Sequence, residues 1–242
     1  MITPTSPENP IIKNLPGFGE AINEWRRLDK TRRLWSGDVS LWMGSDEANW
    51  LGWLTVVKSQ REQLEKFETL ASEIKAGGFK HALLLGMGGS ALCPAVLTST
   101  FRRVSNYPHL LVLDSTDPAQ IRRFAMQIDF RRTLFIVSSK SGTTLEPNIL
   151  EKFFYEGTRQ IIPDDQVGAH FIAITDPNSK LEELAKAKGF RGDFHGVPSI
   201  GGRFSALSDF GMTPAAACGF DVKTFLTRTE EMVHACGPMV PV

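Results

Sequence analysis

Cysteine is scarce in this sequence, with only Cys93, Cys218 and Cys236, far apart and without a C-x-x-C pair. So few thiols, odd in number, argue against a disulfide framework or a zinc site and fit a reduced, cytoplasmic protein. Long apolar runs are lacking too, since none approaches the ~18 residues that a membrane helix requires. The opening residues Met1-Ile2-Thr3-Pro4-Thr5 have neither the basic nor the apolar region of a signal peptide. Nor is there an excess of charge of either sign, because 27 Lys and Arg balance 27 Asp and Glu. Nucleic-acid binding needs a basic face that displaces counterions, so no nucleic-acid partner is expected. An anionic ligand would have to be held by local geometry rather than by the overall field.

What is present is ordinary globular composition, 42% hydrophobic and 22% charged over 242 residues. Residues 1 to about 18 carry four prolines and read as a surface lead-in. Ala21 to Arg33 has helical character. Ser45-Asp46-Glu47-Ala48 reads as a cap with acids in the first turn. A long helix is predicted from there to about Lys75, with Trp50, Leu51, Leu54, Val57 and Leu64 as core candidates and Gly77-Gly78 as its stop. Trp42, Trp50 and Trp53 are expected to pack internally. The division predicted is a helical lead-in over 1–78, packed on a binding domain over 79–242.

Beyond Gly78 the pattern changes. Short apolar runs at 81–85, 110–113, 134–137 and 171–174 are each followed by a small or polar loop and a helix-like stretch. A fifth short strand is expected near Phe190 to Phe194. Continuous apolar strands alternating with helices imply parallel strands buried on both faces. The fold class is therefore α/β, a doubly wound, mainly parallel five-stranded sheet flanked by helices. Ligands in such sheets sit at the carboxyl ends of the strands, so the loops there are where chemistry belongs.

Two of those loops suit a phosphate. Gly86-Met87-Gly88-Gly89-Ser90-Ala91 lets backbone N–H groups approach a ligand, with Ser90 where the next helix should begin. It also satisfies the dinucleotide pattern through Gly86, Gly88 and Ala91, with Asp114 as a possible ribose acid. The second loop, Ser138-Ser139-Lys140-Ser141-Gly142-Thr143-Thr144, decides between the two. Its hydroxyls, ammonium and glycine converge just before a helix beginning near Leu145, which is what a phosphate monoester needs. Capping explains one hydroxyl and not a run of them.

These loops, together with Ile200-Gly201-Gly202-Arg203-Phe204-Ser205 continuing through Ser208 to Gly211, resemble the sugar isomerase domain of phosphoglucose isomerases. Pro198 and Asp209 stand where the usual pattern prefers other residues. The text Ser40-Leu41-Trp42 and Asp46 to Trp53 is similar to the isomerase part of bifunctional transaldolase/phosphoglucose isomerase proteins. The resemblance implies that Ser90, Ser139, Lys140, Ser141 and Thr144 hold the phosphate, with Thr143 a further hydroxyl of the loop. It places Gly88 and Gly89 beside the sugar and Glu146 at an acidic position that orders the site. Arg203 matches the arginine that stabilises an enediolate between glucose 6-phosphate and fructose 6-phosphate, where a fixed guanidinium lowers the energy of the oxyanion.

The family's base, a Glu, and its ring-opening helpers belong to a second half that this sequence does not match. The chain reads as cut off before it, and as poorly active alone. Glu146, in a helix's first turn, would be held ionised and weakly basic. His195 lies in the Arg191 to Pro198 connection, and a lone loop histidine is more often a surface residue. The expected partners are a sugar phosphate, the missing second sugar isomerase domain, a transaldolase domain and a second copy. No metal, organic cofactor or membrane is called for. Two other functions share these loops. A non-catalytic phosphosugar sensor would have no use for Arg203, and a nucleotide-dependent oxidoreductase would have no use for the second loop.

Overall fold

A computed structural model describes residues 15–240. Most of the proline-bearing lead-in therefore lies outside the described residues. The chain divides into two compact units, one of residues 49–228 and one formed by the residues before and after it.

The larger unit is built on five parallel strands. They are β1 (His81–Gly86), β2 (His109–Leu113), β3 (Thr133–Ser138), β4 (Phe171–Thr175) and β5 (Gly192–His195), in the order β2-β1-β3-β4-β5. Every pairing is parallel, with Gly86 of β1 opposite Ser138 of β3. β3 and β4 are buried along their whole length and β1 along all but its first residue. That is why these strands read as unbroken apolar runs. The edge strands β2 and β5 are only partly covered.

Alternate residues of each strand feed opposite layers. Ala82, Leu84, Ile136 and Ile174 face Phe67, Leu70, Ile74, Leu97 and Phe210. Leu83, Leu85, Phe135 and Val137 face Leu150, Phe154 and Leu181. Phe135 stacks on Phe171 at 4.7 Å and lies 5.3 Å from Phe154, so aromatic contacts fill the second layer. Helices cover both faces, and the sheet is doubly wound as the sequence predicts. The reversal of strand order falls between β1 and β3, where the chain leaves toward opposite edges, and open α/β sheets bind their ligands beyond the strand ends at such a point.

The helices ahead of the sheet differ from expectation. The stretch predicted as one helix to Lys75 is three pieces, a 3₁₀ segment Glu47–Leu54, then Val56–Arg61, then Leu64–Ala76. Trp50 leaves helical geometry at φ −120°, and Gly52 donates its N–H to the Ser199 carbonyl at 3.0 Å. A Cβ on Gly52 would lie 2.3 Å from the Ser199 hydroxyl, so this tertiary contact overrides local helix propensity. Of the five core candidates only Val57 is buried; Trp50 is 38% exposed, and Val56, Phe67, Leu70 and Ile74 do the packing instead. Trp42 is equally exposed, while Trp53 stacks on Phe204 at 6.4 Å. Gly78, just past the last helix, stands in the left-handed region at φ 66°.

The smaller unit carries helices Phe18–Arg27 and Lys30–Trp35, separated by Asp29 at φ 48°, where the sequence predicts one helix. Ser45 does not cap. Instead Glu47 reaches back to accept the N–H groups of Ser45 at 2.8 Å and Met43 at 3.2 Å. Trp35 donates its indole N–H to the Cys236 carbonyl at 2.8 Å, joining the two ends of this unit. The arginine pairs Arg122-Arg123 and Arg131-Arg132 are exposed. Among the described residues no helix is long and apolar enough to cross a membrane.

Candidate functional site

Three segments far apart in the chain meet above β1 and β3. The first is the turn from β1 into the helix Gly89–Thr100. Gly88 adopts φ 54° and ψ −124°, a conformation open to glycine alone, and its carbonyl accepts the N–H groups of Ala91 and Leu92. The Ser90 carbonyl accepts the Ser138 hydroxyl at 3.1 Å, tying this turn to the end of β3.

The second segment is the loop from β3 into the helix Leu145–Arg159. Gly142 sits at φ 66°, with its missing Cβ 2.6 Å from the Leu181 N, so only glycine fits. Ser141 and Thr143 are exposed, their hydroxyls 2.9 Å apart, and the Thr143 N–H donates to the Ser141 hydroxyl at 3.2 Å. Thr144 occupies the N-cap without a side-chain cap bond, and Glu146 lies half-buried in the first helical turn. Ser139 is the reverse of these exposed hydroxyls. It is 2% exposed, and its hydroxyl is buried without a hydrogen-bond partner. Buried polar atoms left unsatisfied are rare and call for a ligand or a water.

From the sequence, Lys140 offers its ammonium to a phosphate. The structure turns it instead to the Asp176 carboxylate and to the carbonyls of Pro198 at 3.1 Å and Val197 at 3.5 Å. Sequence reasoning missed Asp176, although it sits just past β4, where the rule about strand ends directs attention.

The third segment is the 3₁₀ turn Gly202–Leu207, held by the Ser205 hydroxyl on the Gly202 carbonyl at 2.6 Å and by the Phe204 N–H on the Gly201 carbonyl at 2.8 Å. A Cβ on Gly89 would lie 2.2 Å from the Gly202 carbonyl oxygen, so backbone rests on backbone where the first and third segments meet. A Cβ on Gly211 would lie 1.9 Å from the Ala206 carbonyl oxygen, which accounts for that glycine too. Arg203 is exposed, and its guanidinium takes no hydrogen bond or ion pair among the described residues. Asp209, a departure from the usual pattern, is buried and accepts from Lys66 at 2.6 Å, Gln60 at 3.0 Å and Thr213 at 3.3 Å. It anchors the helix behind the arginine turn to the helices ahead of the sheet.

His195 ends β5 with its ring 3.6 Å from Glu182 and 3.5 Å from Asp193. These three could together hold a cation, but Lys186 and the Asn178 N–H already engage Glu182. Two helix N-termini, the hydroxyls of the second loop and the turn carrying the exposed Arg203 thus lie at the carboxyl ends of β1 and β3, an arrangement whose chemistry suits an anion.

A sequence model described as phosphoglucose isomerase matches residues 45–235. The chain is similar to the glucose-6-phosphate isomerase of Thermus thermophilus, 31% identical over 216 residues, covering 88% of this chain and 49% of that protein. It is 32% identical over 189 residues to the glucose-6-phosphate isomerase of Trichormus variabilis, covering 72% of this chain and 34% of that one. Its fold resembles the crystal structure of a hypothetical protein from Thermus thermophilus, with TM-score 0.77 and 28% identity over 93% of this chain and 52% of that one. A glucose-6-phosphate isomerase from Chlamydia trachomatis shares the fold at TM-score 0.65, over 91% of this chain and 46% of that one. The chain thus spans between about a third and a half of the length of these relatives.

Proposed function

The chain belongs to the phosphoglucose isomerase family, and from that premise we propose that it is the phosphate-holding, arginine-bearing part of an aldose–ketose isomerase acting on glucose 6-phosphate and fructose 6-phosphate. The observation that carries the proposal is the backbone contact of Gly89 with Gly202, which brings Arg203's turn against the first phosphate loop. In this reading the phosphate lies between the helix starts at Gly89 and Leu145. Ser90, Ser139, Ser141, Thr143 and Thr144 supply hydroxyls, and Lys140 contributes through the backbone of its loop. Gly88 and Gly89 let the sugar approach, and Glu146 orders the start of its helix.

Hydrogen bonds to a charged group contribute about 1.5–3 kcal/mol each before ordering losses. Three or four of them support dissociation constants from about micromolar to millimolar, which suits a metabolite. Arg203 then faces the C1–C2 end of the sugar, where proton transfer passes through an enediolate. A fixed cation placed for that oxyanion is worth about 10²–10³ in rate.

The proposal assigns the base to another part of the protein. Glu146 lies in the first turn of a helix, and His195 faces Glu182 and Asp193. The partners that follow are a second sugar isomerase domain, a transaldolase domain and a second copy of the chain, in the cytoplasm. The test is calorimetric titration with fructose 6-phosphate beside a coupled assay for glucose 6-phosphate. Saturable binding with turnover far below that of the longer relatives is expected. Full turnover would show that the base is here, and absence of binding would remove the phosphate assignment.

A further inference from the structure

Lys140 and Asp176 form a charge pair that the proposed function leaves without a role. We infer that Asp176 is a positioning residue, which holds the Lys140 ammonium as a brace between the phosphate loop and the connection leading to Arg203. The inference rests on the proposed phosphate site and adds a residue to it.

Lysine has three N–H donors and no acceptor. Here the Asp176 carboxylate and the carbonyls of Pro198 at 3.1 Å and Val197 at 3.5 Å take all three. No donor remains for a phosphate, and the carboxylate neutralises the one cation in the second loop. The anion is therefore left to hydroxyls, N–H groups and helix ends, while the ammonium spans from the loop to a point five residues short of Arg203.

The backbone of Lys140 is gripped from the same side. Its carbonyl accepts the Asp176 N–H at 3.0 Å and the Thr175 hydroxyl at 3.2 Å, and the neighbouring Ser139 N–H donates to the Ile174 carbonyl at 3.0 Å. The connection is pressed against the same carboxylate. The Gly196 N–H donates to the Thr175 carbonyl at 2.8 Å, and a Cβ on Gly196 would lie 2.9 Å from Asp176 Oδ1. Asp176 thus touches the phosphate loop through Lys140 and the arginine connection through Gly196. A brace of this kind fixes how far the phosphate sits from Arg203, which is the distance an isomerase acting at C1 and C2 of a 6-phosphate must hold constant.

The experiment compares Asp176→Asn, Lys140→Met, Lys140→Arg and the double substitution that combines Asp176→Asn with Lys140→Met. Fructose 6-phosphate affinity is measured by calorimetry, and hydrogen exchange is followed without ligand. Each single loss should weaken binding about ten-fold, and the double should be no worse than either single because both act through one pair. Lys140→Arg, which keeps a cation for Asp176, should regain most of the affinity, an outcome that mere loss of packing would not give. Exchange should rise together over 139–144 and 196–203 in Asp176→Asn, and Lys140→Met gives the same readout if that variant folds poorly. Tighter binding by Asp176→Asn would overturn the inference, because a released ammonium would then be reaching the phosphate. Unchanged exchange in the 196–203 connection would overturn it as well. If exchange is coupled while the parent chain binds no fructose 6-phosphate, the brace stands and the phosphate assignment falls.

Discussion

Replacing Gly89 by alanine tests the junction on which the site depends. The new Cβ would stand 2.2 Å from the Gly202 oxygen and 2.4 Å from its carbonyl carbon, and both are backbone atoms that cannot rotate away. Reaching ordinary contact requires about 1 Å of separation between the two segments. Alanine gains up to about 1 kcal/mol in a helix interior, and less in a first turn such as this. Overpacking of this kind costs about 1–3 kcal/mol, so the clash wins. For a chain of this size each kcal/mol moves the melting temperature by about 2–4 °C, so a fall of a few degrees or more is expected. The larger effect should be on function, because displacing a catalytic group by ~1 Å costs on the order of 10² in rate. The assays are thermal unfolding and isomerase turnover, the latter in the longest active form of the protein. Gly19→Ala is the control. Gly19 lies in the first turn of its helix with open space around its missing Cβ, so that change should leave stability unchanged or raise it by less than about 1 kcal/mol. Unchanged stability and turnover in Gly89→Ala would refute the backbone contact with Gly202.

Three further outcomes are expected. Asp209→Ala strands Lys66 and Gln60 beside a buried site and should lower the urea-derived stability by about 3 kcal/mol; a loss no larger than that of a surface pair, below ~1 kcal/mol, would contradict the anchoring role. Burial pushes His170 and His81 below the ordinary histidine value of 6.5, so the unfolded chain takes up protons first as the pH falls. Their contribution is complete above pH 6.5 and declines as the pH drops through that value toward the folded pKa values, so urea midpoints should fall between about pH 7.5 and 5.5 and less so in His170→Phe; a flat profile would contradict this. Burial raises the Cys93 thiol to about 11 and raises Cys218 as well, while Cys236 is exposed, so a thiol reagent should find one fast cysteine in the native chain and three in denaturant.

The central strands were legible because burial on both faces leaves no polar alternation, and each run at 81–85, 134–137 and 171–174 lies within one observed strand. The glycine and hydroxyl loops were legible because their residue types answer to backbone geometry, as Gly88 and Gly142 do with positive φ. What could not be read was direction. Lys140 is in the expected loop, but which anion its ammonium meets depends on Asp176, 36 residues away. Asp209 looked like a defect in a signature until Gln60 and Lys66, 149 and 143 residues earlier, gave it partners. The helix predicted to Lys75 breaks at a contact between Gly52 and Ser199 that no local pattern announces. Long-range polar contacts of this kind leave no periodicity, so they appear only once the fold is known.

The central claim is that a sugar phosphate sits between the loops following β1 and β3. Amide chemical-shift mapping during titration with fructose 6-phosphate tests it most directly, because it reports position as well as affinity. The account predicts saturable shifts at Gly88, Gly89 and Ser90 and at Ser139 to Thr144, reaching Arg203, with inorganic phosphate moving the loop amides but not Arg203. Shifts gathered elsewhere, for instance in the apolar groove of about 410 Å³ lined by Leu97, Phe101, Met212 and Phe225, would contradict it.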